Sequence, residues 1–138
     1  RYKQPFSVIA PSKEWISEMC DSPNKEEYDK WVMKLPGPYT LILPLKGKNA
    51  VAKETNNNLK TLGVRIPNHW FSAVAKEANI PIVTTSANIT GEEFMTSIEN
   101  LDSKIKNEIE MAIYEGEKKG RPSKIVDLTK KKPETKER

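Results

Sequence analysis

The sequence predicts an α/β or α+β fold built on a mixed sheet, and three observations carry that expectation. Short apolar runs rich in β-branched residues recur at 6–10, 39–45, 62–66, 82–83 and 123–128, and such runs read as buried strands. Between them lie segments with apolar residues three and four apart, such as Tyr28, Trp31, Val32 and Leu35, the stripe of an amphipathic helix. Hairpin-like turns intermix with these helices, so parallel and antiparallel neighbours share one sheet.

A chain of 138 residues has room for one domain with a sizeable core. Hydrophobic residues make up only 36% of it and charged ones 30%, so a tail or an exposed face must hold much of that charge. The net charge of +4 is concentrated around Lys130, Lys131 and Lys132. A basic excess of this size fits a nucleotide, phosphate or nucleic-acid partner, and equally fits a surface kept basic for solubility. Cys20 is the single cysteine, which excludes an intramolecular disulfide and a cysteine-based metal site and agrees with a reducing cytoplasm. No run reaches the length of a membrane span, and none reads as a signal peptide. The chain opens on Arg1 and enters a strand within a few residues, which reads as a domain whose upstream residues are missing.

Residues 1–5 are a basic loop leading into a strand at 6–10. Pro11-Ser12 stops that strand and caps a helix over 13–19, with Trp15, Ile16 and Met19 on one face. Asn24 with Glu27 three residues on has the spacing of a capping box, and the helix after it carries the Tyr28–Leu35 stripe, read as core. Leu35-Pro36-Gly37-Pro38 is a rigid turn. The strand at 39–45 is apolar at almost every position, as if covered on both faces. Residues 46–49 form an exposed turn and 56–58 a loop. The strand at 62–66 lodges Arg65 among apolar neighbours. An arginine there either snorkels at a sheet edge or is held to bind an anion. A helix is expected over 69–78. Its first turn holds His69, the one histidine, more readily a surface or packing residue than a general base, since no second histidine or paired acid flanks it.

Residues 80–92 are the most informative stretch. A short strand, Ile82-Val83, turns abruptly into Thr84, Thr85, Ser86, Asn88 and Thr90 before Gly91. Compact hydroxyl and amide groups at the C-terminal end of a strand are how α/β folds build sites for phosphate, carboxylate or nucleobase edges. The same residues also make ordinary turns. Beyond them a helix is expected over 97–109, a strand over 111–114, a polar turn over 115–122, a last strand over 123–128, and, from composition, a solvated tail over 129–138. There is no Walker loop, no dinucleotide glycine pattern and no Ser-His-Asp order. The residues alone therefore lead to an anion- or nucleotide-binding α/β domain and name no reaction.

Four blocks lead further: Pro36-Gly37-Pro38-Tyr39-Thr40-Leu41-Ile42-Leu43, Gly63-Val64-Arg65-Ile66-Pro67-Asn68-His69, Thr85-Ser86-Ala87-Asn88-Ile89-Thr90-Gly91-Glu92, and 123–129. In this order and spacing, over nearly the whole chain, they resemble the YrdC-like family, the L-threonylcarbamoyladenylate synthases of tRNA modification. The resemblance implies a twisted mixed parallel and antiparallel sheet with flanking helices around an open, positively lined cavity. It makes residues 1–138 a single YrdC-like domain lacking its first strands. It implies a cytoplasmic nucleotidyltransferase that converts L-threonine, bicarbonate and ATP to threonylcarbamoyl-AMP and pyrophosphate, with Mg²⁺, for N6-threonylcarbamoyladenosine in tRNA.

Residue by residue, Ser86, Ala87 and Asn88 match the Ser-x-Asn half of a Lys-x-Arg and Ser-x-Asn set that handles ATP. Arg1 stands for the arginine of the other half if one residue is missing between it and Pro5. The lysine of that half then falls before residue 1, and Lys3 fits the spacing less well. Thr61 and Arg65 match a Thr-x-x-x-Arg pair in which the threonine faces the nucleotide and the arginine clamps the carboxylate of L-threonine. Thr85 matches a second contact to that substrate. Thr96 or Ser97 falls where a further hydroxyl meets ATP. Arg138 falls about where the family carries a phosphate-binding arginine, which makes the basic tail at 129–138 part of the site. No residue is expected to act as a nucleophile or to ligate a metal.

Two other readings compete. A double-stranded RNA- or tRNA-binding module would use the same basic surface, and steep salt dependence without ATP turnover marks it. A YrdC-like domain inside a larger carbamoyl-transferring maturation protein would keep the fold. Such proteins carry cysteine pairs beside it, and a single Cys20 argues against them. In the synthase reading the partners are the small substrates, tRNA or double-stranded RNA, and the machinery that transfers the threonylcarbamoyl group.

Overall fold

The structure, a computed structural model, describes residues 4–47 and 49–137. These residues fall into two compact units: Thr85–Pro122 is one, and the chain up to Thr84 together with the chain from Ser123 is the other.

The larger unit holds the sheet. Its strands are β1 (Ser7–Ile9), β2 (Tyr39–Pro44), β3 (Thr61–Arg65), β4 (Ile82–Thr84), β5 (Lys124–Asp127) and β6 (Glu134–Lys136), in the spatial order β4-β1-β3-β2-β5-β6. β1 runs parallel to β3 and antiparallel to β4. β2 runs antiparallel to β3 and parallel to β5, and β6 closes the far edge antiparallel to β5. The sheet is therefore mixed and open, as the intermixed turns and helices predict.

Alternation along the strands separates two faces. Val8, Leu41, Leu43, Leu62, Val64, Val126 and Leu128 are buried on one of them and join Ile16, Tyr28, Val32 and Leu35 in a single core cluster. Two helices supply that second layer, α1 (Lys13–Met19) and α2 (Lys25–Met33). Fully burying one such aliphatic side chain stabilises by about 1.5–3 kcal/mol, so this layer is the main source of stability. α1 starts where Ser12 Oγ accepts from the Trp15 N–H at 3.0 Å. α2 starts where Asn24 Oδ1 accepts from the Glu27 N–H at 3.2 Å. Only that half of the expected capping box forms. The Glu27 carboxylate instead accepts from Lys30 Nζ at 2.9 Å and Trp31 Nε1 at 3.1 Å, two donors on its own helix face.

The Leu35–Pro36 peptide is cis, and Gly37 follows it at a place no side chain fits. A Cβ there would sit 2.6 Å from the Lys34 carbonyl oxygen, while the Gly37 N–H donates to Ile66 O at 2.9 Å. A short helix, α3 (Lys53–Asn56), was not expected from the sequence. It ends on Asn57 and Asn58, both with positive φ, a conformation asparagine tolerates better than most residues. Asn56 is buried, and its Nδ2 donates to Leu59 O at 2.8 Å and Thr61 O at 3.0 Å, fixing the entry into β3. α4 (Phe71–Ala78) then leads to β4.

The sheet edge at β6 corrects the composition-based view of 129–138 as a solvated tail. Asp127 Oδ1 accepts from the Thr129 N–H at 2.9 Å and from Thr129 Oγ1 at 2.6 Å, folding the chain back. Thr135 then pairs with Val126. Lys130–Glu134 and Lys124–Glu137 ion pairs, each 2.6 Å, flank this exposed edge. Charge of this kind also keeps an edge strand from pairing with other chains.

In the smaller unit the expected helix over 97–109 is reduced to one turn, α5 (Ser103–Lys106), capped by Asp102 Oδ1 on the Lys104 N–H at 2.8 Å. Asn100 is the reason. Its Oδ1 accepts from the N–H groups of Thr96 and Ser97 at 3.0 and 3.1 Å, and its Nδ2 donates to Thr96 Oγ1 at 2.8 Å. Side-chain bonds of this sort compete with the helical ladder. The expected strand over 111–114 is not assigned, and Met111, Ile113 and Tyr114 are exposed.

Cys20 is buried under the core and bridges Leu45 in an isolated antiparallel pair. Burial pushes its thiol up to about 12 from 9.0. A raised native pKa stabilises below the unfolded value and that stability is lost as pH climbs towards the native one. The folded protein is therefore expected to lose stability between pH 9 and about 12 as the unfolded thiol ionises. Denaturation midpoints across that range check this, and Cys20→Ala should remove the Cys20 share. In the folded state at pH 8, a thiol reagent should leave Cys20 unmodified until denaturant is added.

Candidate functional site

The face of the sheet opposite the core carries the polar residues. Ser7 lies beside Gly63 on one side and Thr84 on the other, and Gly63 lies beside Ile42. One step along, Ile9 lies between Arg65 and Ile82. Leu41 pairs with Val64, so the antiparallel register continued by one residue sets Thr40 beside Arg65. Thr61, four residues before Arg65 on β3, shares its face. The structure thus brings the two members of the Thr-x-x-x-Arg pattern onto one polar sheet face, both half-buried.

Of the two readings left open for Arg65, the structure removes the sheet edge: β3 is an interior strand between β1 and β2. A guanidinium is permanently charged and offers a planar fork of donors suited to a carboxylate or phosphate. Around it the backbone is kept low. A Cβ on Gly63 would stand 3.1 Å from Ser7 Cβ and 3.4 Å from Thr40 Cγ2, so glycine leaves a shallow floor along this face. Ser7 Oγ and Thr84 Oγ1 are 3.4 Å apart. Thr40 Oγ1 and Ser123 Oγ are 2.6 Å apart and buried. Sequence reasoning missed Ser7, Thr40 and Ser123. Their signal was a single hydroxyl on the core-opposite face of otherwise apolar runs, obscured by reading 39–45 as covered on both sides.

In the smaller unit, Thr85, Ser86, Ala87 and Asn88 follow β4 as a turn. The Asn88 N–H donates to Ser86 O at 3.0 Å, Asn88 Nδ2 donates to Glu92 O at 2.7 Å, and the Glu92 N–H donates to Ile89 O at 3.0 Å. Thr85 is exposed, while Ser86, Ala87 and Asn88 are half-buried. These bonds tie the loop to itself through its backbone and the Asn88 amide. Thr96 lies in the Asn100-bound turn, and its carbonyl accepts from the Lys118 N–H at 2.7 Å. Arg1 and Arg138, the two arginines expected at the nucleotide, lie outside the described residues, as does Lys3.

His69 caps its own turn, its Nδ1 accepting from the Phe71 N–H at 3.2 Å. A groove of about 510 Å³ between α1 and α2 is lined by Lys13, Glu14, Ser17, Lys25, Tyr28 and Asp29 among others. It mixes both charge signs and contains none of the expected site residues. Among the described residues no three His, Cys, Asp or Glu side chains gather as a metal site, and no helix is long and apolar enough to cross a membrane.

The Sua5/YciO/YrdC family model, described as "Telomere recombination", matches residues 1–137. A putative threonylcarbamoyl-AMP synthase of Methanocaldococcus jannaschii is 31% identical over 133 residues, which cover 92% of this chain and 58% of the relative. A threonylcarbamoyl-AMP synthase of Vibrio campbellii is 32% identical over 127 residues, covering 87% and 66%. Among solved structures, P. abyssi Sua5 complexed with L-threonine superimposes with a TM-score of 0.79 at 28% identity, covering 96% of this chain and 39% of that one. The chain thus spans between two fifths and two thirds of the length of these three proteins. With a family match along nearly its whole length and the same mixed sheet, this chain belongs to the Sua5/YciO/YrdC family.

Proposed function

We propose that this domain makes L-threonylcarbamoyl-AMP from L-threonine, bicarbonate and ATP, for N6-threonylcarbamoyladenosine formation in tRNA. The observation that carries the reading is Arg65, held by an interior strand on the polar face of the sheet, beside Thr40 and in line with Thr61. The names of the two synthase relatives and the L-threonine bound to P. abyssi Sua5 support it.

In this reading the Arg65 fork takes the carboxylate of L-threonine through two parallel charge-assisted bonds, and Thr85 adds a second contact. The threonine amine and bicarbonate combine to a carbamate with loss of water. A carbamate oxygen then bonds to the α-phosphorus of ATP as the bond to the bridging oxygen of pyrophosphate breaks. No side chain forms a covalent bond in this sequence. The chain contributes orientation and donors aimed at developing charge. Ser86, Ala87, Asn88, Thr61 and Thr96 serve the nucleotide, with Arg1 and Arg138 as its cationic contacts. Mg²⁺ would accompany the nucleotide, held by its phosphates and water, and no step is assigned to it. The product passes to the tRNA-modifying transfer machinery.

Ser86→Ala tests the nucleotide half. A half-buried hydroxyl contributes little to a core, so the unfolding temperature should stay while KM for ATP rises about five- to tenfold, as one hydrogen bond predicts. Unfolding of this variant, from a parent that never binds ATP, would make Ser86 structural and the assignment wrong.

A further inference from the structure

β6 forms the sheet edge and exposes the side chains of Glu134, Thr135 and Lys136. It therefore gains little from apolar burial, and the ion pairs that flank it join exposed side chains, which hold a strand weakly. The loop between α1 and α2 fixes the chain ahead of it. Ser22 Oγ donates to Leu128 O at 3.0 Å and Asn24 Nδ2 donates to Lys131 O at 2.9 Å, across 106 and 107 residues of sequence. The Asn24 N–H in turn donates to Ser22 Oγ at 3.3 Å, which joins the two grips. Together they take both ends of the reversal that Asp127 and Thr129 set up. Leu128 is also buried in the core, so the near end is fixed twice, while Asn24 holds the far end at the exposed Lys131. Both ends of the Asn24 amide are engaged. Its Oδ1 accepts from the Glu27 N–H at 3.2 Å, so the acceptor starts α2 and the amino group faces the tail. α2 is anchored in the core by Tyr28 and Val32. A packed helix thus sets the departure of β6 through one side chain.

We infer that Asn24 is a positioning residue for the nucleotide: by clasping the tail at Lys131 it sets the course of β6, the strand that leads into Arg138. The inference deepens the synthase reading and rests on it, since that reading gives Arg138 to the phosphates of ATP. Arg138 itself lies outside the described residues. A guanidinium recognises phosphate through a fork of directed donors, so the backbone that carries it must be held. A looser backbone has to be ordered again on binding, and affinity falls. Asn24 acts only through the tail.

The test uses the full-length protein, with pyrophosphate release at varied ATP and L-threonine, thermal unfolding and amide exchange. Asn24→Asp keeps a side-chain oxygen to cap α2 and loses the donor to Lys131. Asn24→Ser does the same and stands in should the first variant fail to fold. Either is expected to raise KM for ATP about three- to fivefold, as loss of one exposed hydrogen bond allows, with KM for L-threonine and the unfolding temperature unchanged. Amide exchange should quicken over 134–137 and not over α2. Arg138→Ala should raise KM for ATP further, and adding Asn24→Asp to it should change nothing more, because both act through one contact. Unchanged KM for ATP in the Asn24 variants, or an additive loss in the double variant, overturns the inference and leaves the synthase reading standing. A joint loss of ATP and L-threonine that follows a lowered unfolding temperature also overturns it, since Asn24 is then only a cap. If Arg138→Ala leaves KM for ATP unchanged, the tail has no part at the nucleotide and the inference falls, while product formation keeps the synthase reading. If the unaltered protein makes no threonylcarbamoyl-AMP, both fall.

Discussion

Replacing Arg65 with lysine is expected to raise KM for L-threonine roughly a hundredfold, about 3 kcal/mol of lost binding, while the unfolding temperature hardly moves. Lysine keeps the positive charge but loses the planar fork, so a residue acting only as a point charge would tolerate the change. Arg65→Ala should abolish measurable use of L-threonine. Both variants should leave nucleotide binding nearly intact, because Arg65 is assigned to the amino acid and not to ATP. Isothermal titration with each substrate separately checks this. Equal loss of ATP and L-threonine, or normal L-threonine affinity in Arg65→Lys, would remove the carboxylate clamp from the account.

Leu62→Ala, three residues earlier on the same strand, should do the reverse. Leu62 points to the core face and is 1% exposed, so its truncation should cost about 3 kcal/mol and lower the unfolding temperature by roughly 10 °C. At a temperature where the variant is folded, its KM values should match those of the unaltered protein. The two substitutions together test the separation of faces along β3. Leu62 and Val64 are buried, whereas Thr61 and Arg65 are half-buried on the other face, where the proposed function puts substrate recognition. A Leu62→Ala protein with unchanged stability would mean that the core layer described here does not hold the sheet.

Much of this architecture was legible in the residues. The helix over 13–19 agrees with its observed bounds, because Ser12 caps it and Trp15, Ile16 and Met19 give it one apolar face. The strands near 39–45 and 62–66 were equally clear, since β-branched and leucine-rich runs bounded by Pro-Gly or Asn have few other solutions. Failures came where side chains compete with the backbone. Asn100 turns residues 96–100 away from the helix that their Glu and Lys spacing suggests. The alternation of Ile109, Met111 and Ile113 resembles a strand, yet a strand needs a partner to satisfy its backbone, and no described strand pairs with it. β6 was hidden because lysine and glutamate dominate it, and an edge strand held by main-chain bonds and ion pairs has little apolar signature.

The candidate site was legible in a different way. Its four sequence blocks drew attention to Arg65 and to residues 85–88, and periodicity alone left Arg65 undecided between a sheet edge and an anion site. The neighbouring strands remove the sheet edge, because β1 and β2 flank β3. Ser7, Thr40 and Ser123 escaped notice because each is one hydroxyl in an apolar run, and only the register shows that they share a face.

The most direct measurement supplies the full-length protein with ATP, L-threonine and bicarbonate and follows pyrophosphate and adenylate products together. Pyrophosphate release is expected to depend on both L-threonine and bicarbonate, with threonylcarbamoyl-AMP accumulating in equal amount. A folded protein that binds RNA with steep salt dependence yet releases no pyrophosphate under those conditions would contradict it.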